Sequence, residues 1–152
     1  MACSYLEKSL CILALCAAFP GCAEKNYPDH HASFKLVDKT VGCASTDSNA
    51  KKEDQFESRY KNHWLTWRGK VQVAGTDSLS IDMDGHGIQD LFVRMKIAKA
   101  GYDVRKGDIV TVRFLMKDIG GCIMPFSGEE AIFIEGIPKS QLFTQDDDYY
   151  SR

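Results

Sequence analysis

With 152 residues, 44% hydrophobic and 26% charged, the chain has the size and composition of one domain with a real core. Its 19 Lys and Arg against 21 Asp and Glu give a net charge of −2, so no basic excess points to DNA or RNA. No serine elbow, His-Glu-x-x-His pair or phosphate loop occurs, and the expectation is a non-enzyme.

Residues 1–23 come first. An apolar run from Leu10 to Phe19 follows Glu7 and Lys8. It is about half the ~20 residues that a spanning helix needs. A short apolar core followed by small residues is the pattern of a secretory signal. Gly21-Cys22 resembles the end of a bacterial lipoprotein signal, which would make Cys22 a lipid-bearing first residue. Gly21-Cys22-Ala23 alternatively suits an ordinary signal peptidase, and a buried N-terminal helix is the plainer alternative. The expected organisation is a lipoprotein-type signal over 1–22, a polar tether over 23–48, a barrel domain over 49–140 and an acidic tail over 141–152. The expected location is the periplasm or cell surface, with the membrane reached through a lipid on Cys22.

Four of the six cysteines lie within 1–22. That leaves Cys43 and Cys122, which an oxidising compartment would join. The alternative is two unpaired thiols. Closing a loop of about 80 residues stabilises a fold by roughly 4 kcal/mol in the chain-entropy account.

Within 24–48 the His30-His31 pair has no further ligands at metal spacing, so it reads as solvated chain. A helix is expected over Asn49–Asn62, capped by Asp47, Ser48 or Asn49, with Phe56 and Tyr60 on one face. Five strands follow. Residues 64–74 place Trp67, Val71 and Val73 on one face, and Trp64 is expected to seal the barrel's end. Residues 78–84 turn Leu79, Ile81 and Met83 inward. Residues 90–97 turn Leu91, Val93, Met95 and Ile97 inward, with Phe92, Arg94 and Lys96 outward. Residues 108–116 and 131–137 complete the set.

This order suggests a mainly β protein, a five-stranded OB-fold-like Greek-key barrel with one N-terminal helix. A different small antiparallel barrel, such as an SH3-like one, is the alternative. The stretches YKNHWLTWRGKV and VRKGDIVTVRF resemble the first-strand and fourth-strand entries of such barrels. Over about residues 50–137 the chain is similar to the bacterial tRNA-anti-codon-like OB-fold family of exported proteins and lipoproteins. The resemblance implies the fold and an envelope location, and brings no catalytic positions.

Two surfaces carry chemistry. The outer face of the second and third strands offers Ser80 with Phe92, Arg94 and Lys96, an aromatic between cations that suits a ring and an anionic group. An ordinary solvated face is the plainer reading. The loop Asp82-Met83-Asp84-Gly85-His86-Gly87-Ile88-Gln89-Asp90 resembles a calcium loop, with carboxylates at Asp82, Asp84 and Asp90 and a turn at Gly87. His86 and Val93 stand where oxygen ligands would be expected, and a plain hairpin is the competing reading. The expected function is an exported, lipid-anchored binding or interaction module of the cell envelope, with no cofactor unless calcium binds. Its partner would be a protein, peptide or carbohydrate. The alternative is a metal-dependent nuclease or hydrolase on the same fold, with calcium as its candidate metal.

Overall fold

The computed structural model describes residues 26–134, so the signal-like stretch, Cys22 and the acidic tail lie outside the described residues. The chain is mainly β. Strands β1 (Trp64–Ala74), β2 (Ser78–Asp82), β3 (Leu91–Met95), β4 (Ile109–Asp118) and β5 (Phe126–Phe133) close a barrel in the order β1-β2-β3-β5-β4. Every neighbouring pair is antiparallel except β3 and β5, which run parallel. This is an OB-fold-like barrel, as expected. Among the described residues no helix is long and apolar enough to cross a membrane.

Two helices precede the barrel where one was expected. Helix α1 (Phe34–Val41) lies inside the stretch read as a polar tether, and α2 (Asn49–Arg59) starts where the helix was placed. Ser33 and Ser48 cap them, each side-chain oxygen accepting an N–H three residues on. Among the three possible caps of α2 the structure selects Ser48. The tether reading of 24–48 gives way over its described part because Val37 and Val41, four apart, are fully buried. A polar sequence background hid that short apolar stripe.

The N-terminal arm is stitched to the barrel before α1 begins. Asp29 bridges Trp64, the Trp64 N–H donates to the Pro28 carbonyl at 2.9 Å and the His30 N–H to the Trp64 carbonyl at 2.8 Å. Trp67 then organises the core at this end. Its ring meets Phe34, Phe114 and Phe126 edge-on with centroids 5.4, 5.2 and 6.0 Å away. Its indole N–H donates to the Ala32 carbonyl at 2.8 Å, so the polar atom of a buried tryptophan is satisfied by the arm itself. Helix α1 thus plugs the barrel end at which β1 starts.

Cys43 and Cys122 form a disulfide with sulfurs 2.06 Å apart, tying the chain just after α1 to the β4–β5 turn. Trp67 is in the core as expected. Trp64 is only partly buried, and the Arg113 guanidinium lies 4.5 Å from its ring centre.

Three details of the strands differ from expectation. Val73 is 59% exposed, because a bulge between Val71 and Val73 reverses the alternation that would have turned it inward. Ile97 lies beyond the end of β3 and is exposed. Strand β5 starts at Phe126, five residues before Ala131, where the last strand was expected to begin. It contains Gly128, whose missing side chain leaves room for the Phe114 ring, and a positive-φ Glu130. Glycine and paired glutamates imitate a loop in sequence, but the first is demanded by packing and the second sits at an irregular register.

Candidate functional site

The outer face of β2 and β3 is ordered by register. Val73 of β1 pairs with Ser80 of β2, Ser80 with Phe92 of β3, and Phe92 with Ser127 of β5. Directly paired residues share a sheet face, so these four form one row across four strands. Arg94, two residues after Phe92, lies in the next row opposite Ser78. Phe92 is half-buried and Arg94 exposed, and the Arg94 side chain has no ion pair among the described residues. Lys96 is engaged, with its ammonium 3.4 Å from Glu130. Ser80 was expected to face solvent and is instead buried at 7% exposure. It lines the floor of the row rather than its surface.

The structure therefore brings Phe92, Arg94 and Ser80 together and places Lys96 just beyond the strand end. Val73 and Ser127 were missed. No pattern within either segment marks them, because their membership depends on a bulge in β1 and on a parallel pairing between distant strands. Chemically the row and the neighbouring Arg94 offer an aromatic face, an aliphatic shoulder, a hydroxyl and an exposed guanidinium. That set suits a ring or apolar group carrying an anionic substituent.

The β2–β3 loop gathers the three aspartates. One carboxylate oxygen from each of Asp82, Asp84 and Asp90 lies within 4.8 Å of the others. The loop is also held from within. Asp82, 1% exposed, accepts the Gly85 N–H at 2.7 Å on Oδ1, and the Gly87 N–H at 2.9 Å and Gln72 Nε2 at 3.1 Å on Oδ2. Gly85 and Gly87 both have positive φ, which lets their N–H groups turn toward that carboxylate. Asp90 Oδ2 accepts the Met83 N–H at 2.7 Å and that of Asp84 at 3.3 Å. Asp84 holds His86 through the ring Nδ1 at 2.6 Å and the backbone N–H at 3.0 Å.

The charges follow this geometry. Burial pushes the Asp90 carboxyl up to about 6, with Asp84 and Asp82 adding repulsion against the N–H bonds it accepts. Burial also works against ionising Asp84, but bonds from His86 outweigh it and hold that carboxyl below its ordinary value. The Asp84 hydrogen bond in turn raises the exposed His86 imidazole.

His30, read in sequence as solvated chain, packs edge-on against Tyr60 at 5.2 Å and His63 at 5.8 Å. Burial, then the neighbouring His63 and His31, lower its imidazole, and its Nδ1 accepts the Ala32 N–H at 3.1 Å. It is a structural pin for the arm. A shallow cavity of about 280 Å³ lies beside the disulfide, lined in part by Val41, Lys52, Glu53 and Ile119.

Fold and site together define a small OB-fold-like barrel with an aromatic and cationic outer face. Comparison with known proteins finds no matching family model, no matching curated protein and no matching solved structure.

Proposed function

We propose that this chain is an exported, lipid-anchored binding module of the cell envelope that takes its ligand on the outer face of β2 and β3. The observation that carries the reading is the cross-strand row of Val73, Ser80, Phe92 and Ser127 beside the exposed Arg94. Small OB-type barrels present this face to their ligands. Export is supported by the short apolar run at residues 10–19, and the Cys43–Cys122 disulfide is what an oxidising compartment favours. Cys22 would carry the lipid, as in the exported OB-fold lipoproteins that the strand entries resemble. The ligand class is a peptide, protein or envelope carbohydrate with an anionic group for Arg94.

The test is a screen of uronate-containing oligosaccharides and carboxylate-ended peptides, read by the amide signals of Phe92 and Arg94. Binding should move those signals, and Phe92→Ala with Arg94→Ala should reduce affinity at least about tenfold, the scale of one lost stacking or charged contact. Unchanged affinity in both variants removes this face.

A second reading, calcium in the β2–β3 loop, is favoured by the convergence of Asp82, Asp84 and Asp90 within 4.8 Å. The enzyme alternative, a nuclease or hydrolase dependent on that metal, stands or falls with it. Calorimetry with calcium on the native chain and on Asp84→Ala decides. No heat up to about millimolar calcium, the weak end of protein calcium sites, ends both.

A further inference from the structure

The β4–β5 turn, at the α1 end of the barrel, holds two apolar side chains out in water. From Ile119 to Ser127 the chain contains no charged residue. Within that stretch Ile123 is 90% exposed and its neighbour Met124 69%. At the opposite end Ile97 and Tyr102 are also exposed, but Ile97 follows Lys96 and Tyr102 precedes Asp103. Apolar side chains exposed singly are ordinary, whereas contiguous ones rimmed by polar residues mark contact surfaces.

The pair is held in place. Cys122 precedes it and is bonded to Cys43, and the Gly121 N–H donates to the Met124 carbonyl at 2.8 Å. Its shape is therefore set before contact, which lowers the ordering cost of binding. Helix α1 extends the same surface. Leu36, Lys39 and Cys43 follow one another at spacings of three and four, so they share one side of the helix and its exit. All three are exposed, while Val37 and Val41 on the other side are buried. The result is an apolar edge running from Leu36 past the disulfide to Ile123 and Met124. Its charges nearly balance. Lys35 and Lys39 stand with Asp38, whose carboxylate accepts the Cys43 and Ala44 N–H groups, and Lys52, bonded to the Gly42 carbonyl, precedes Glu53. Contact here depends on apolar area more than on charge.

The entry of the chain indicates what lies opposite this edge. The described residues begin at Asn26, and Pro28 and His30 are hydrogen-bonded to Trp64 at the start of β1, on this same end. Four residues carry the chain from Cys22 to Asn26, a reach of ~14 Å at most. A lipid on Cys22 would thus hold this end, and not the opposite one, toward a bilayer. Tyr27 and Trp64 stand at the entry, with Lys117 5.5 Å from one ring centre and Arg113 4.5 Å from the other. Such aromatic and cationic side chains suit headgroup depth, and Asp29 and Glu129 accompany the two cations.

We propose that the α1 end of the barrel is a membrane-contact surface, on which Ile123 and Met124 enter the headgroup–acyl boundary of a lipid bilayer and Leu36 rests against it. The turn-built end then faces away from the membrane. The bilayer as occupant rests on the lipid-anchored reading, whereas the exposed apolar edge does not.

The test uses nanodiscs of phosphatidylethanolamine and phosphatidylglycerol that contain a nitroxide-labelled lipid. The ¹⁵N-labelled chain is examined in two forms, lipid-bearing and Cys22→Ser. In the lipid-bearing form the amide signals of residues 121–124, Leu36 and Lys39 should broaden, and those of 99–107 should not. Ile123→Ser with Met124→Ser should remove that pattern while the chain stays attached, and both sites are exposed enough to leave the fold intact. In the Cys22→Ser form the same residues should broaden at higher lipid concentration, and the double serine variant should need at least about tenfold more lipid. Broadening spread over both ends, or confined to 99–107, overturns the proposal. So does its absence at 121–124 in both forms. Signals at 121–124 that shift with protein concentration in the absence of lipid also overturn it, by putting a second copy on the edge. A native chain that carries no lipid removes the anchoring reading alone, because contact by the edge is read separately from the Cys22→Ser form.

Discussion

The two ends of the barrel are closed by different means. At the end where β1 starts, Trp67, Phe34, Phe114 and Phe126 interlock, α1 lies over them and a disulfide ties the β4–β5 turn to the helices. At the other end a turn-rich connection folds over the strand ends through backbone hydrogen bonds and carries exposed charge. Aromatic side chains interdigitate at the first end, and exposed charge gathers at the second. The outer row of Phe92 and Arg94 runs from one regime toward the other. Its floor is fixed by sheet register, and its cation faces water.

The largest effect expected from this contrast is at Trp67. Trp67→Ala should cost about 3–5 kcal/mol in denaturant unfolding, as for other large core aromatics. At the turn-built end Tyr102→Ala, on a side chain 76% exposed, should stay within about 0.5 kcal/mol. Comparable losses at both would erase the difference between the ends.

Next comes the disulfide. Its 79-residue separation predicts that replacing Cys43 and Cys122 by alanine costs about 2–4 kcal/mol. Amide exchange should rise first around α1 and the β4–β5 turn. Uniformly faster exchange would show that α1 is not a separable plug.

The smallest effect lies in the β2–β3 loop. Asp90 holds its proton to about 6, above its ordinary 3.8, so the folded chain binds that proton more tightly than the unfolded chain. The stability this proton contributes is present below pH 3.8 and is lost as pH rises through 6. Asp90→Asn keeps an acceptor for the Met83 N–H and abolishes the titration. The variant should be more stable than the native chain by about 1–2 kcal/mol at pH 7, a figure reduced for the half-open site, and level with it near pH 3.5. Unfolding curves at the two pH values check this. Calcium, if it binds, should reverse the order at pH 7 by favouring the ionised aspartate.

Much of this was legible in the chain, and the failures share a cause. The alternation in SLSIDMD and DLFVRMKI reports its own buried face, so Leu79, Ile81, Leu91 and Val93 could be placed without a structure. The pairing of Phe92 with Arg94 follows from the same period of two. What local pattern cannot report is register between distant segments. The bulge that exposes Val73, the parallel pairing that brings Ser127 beside Phe92 and the ring that requires Gly128 all depend on a partner strand. Helix α1 escaped because Phe34, Val37 and Val41 make a narrow apolar stripe in an otherwise polar segment. The aspartates of the loop were visible by spacing. Their hydrogen bonds to the N–H groups of Gly85, Gly87 and Met83 were not, since those depend on backbone dihedrals.

The proposed role in the envelope depends on a lipid at Cys22. The most direct measurement is the intact mass and N-terminal sequence of the protein recovered from its native host. The account predicts a chain that begins at Cys22 and carries the added mass of acyl groups on that residue. An unmodified chain that still begins at Met1 would contradict it.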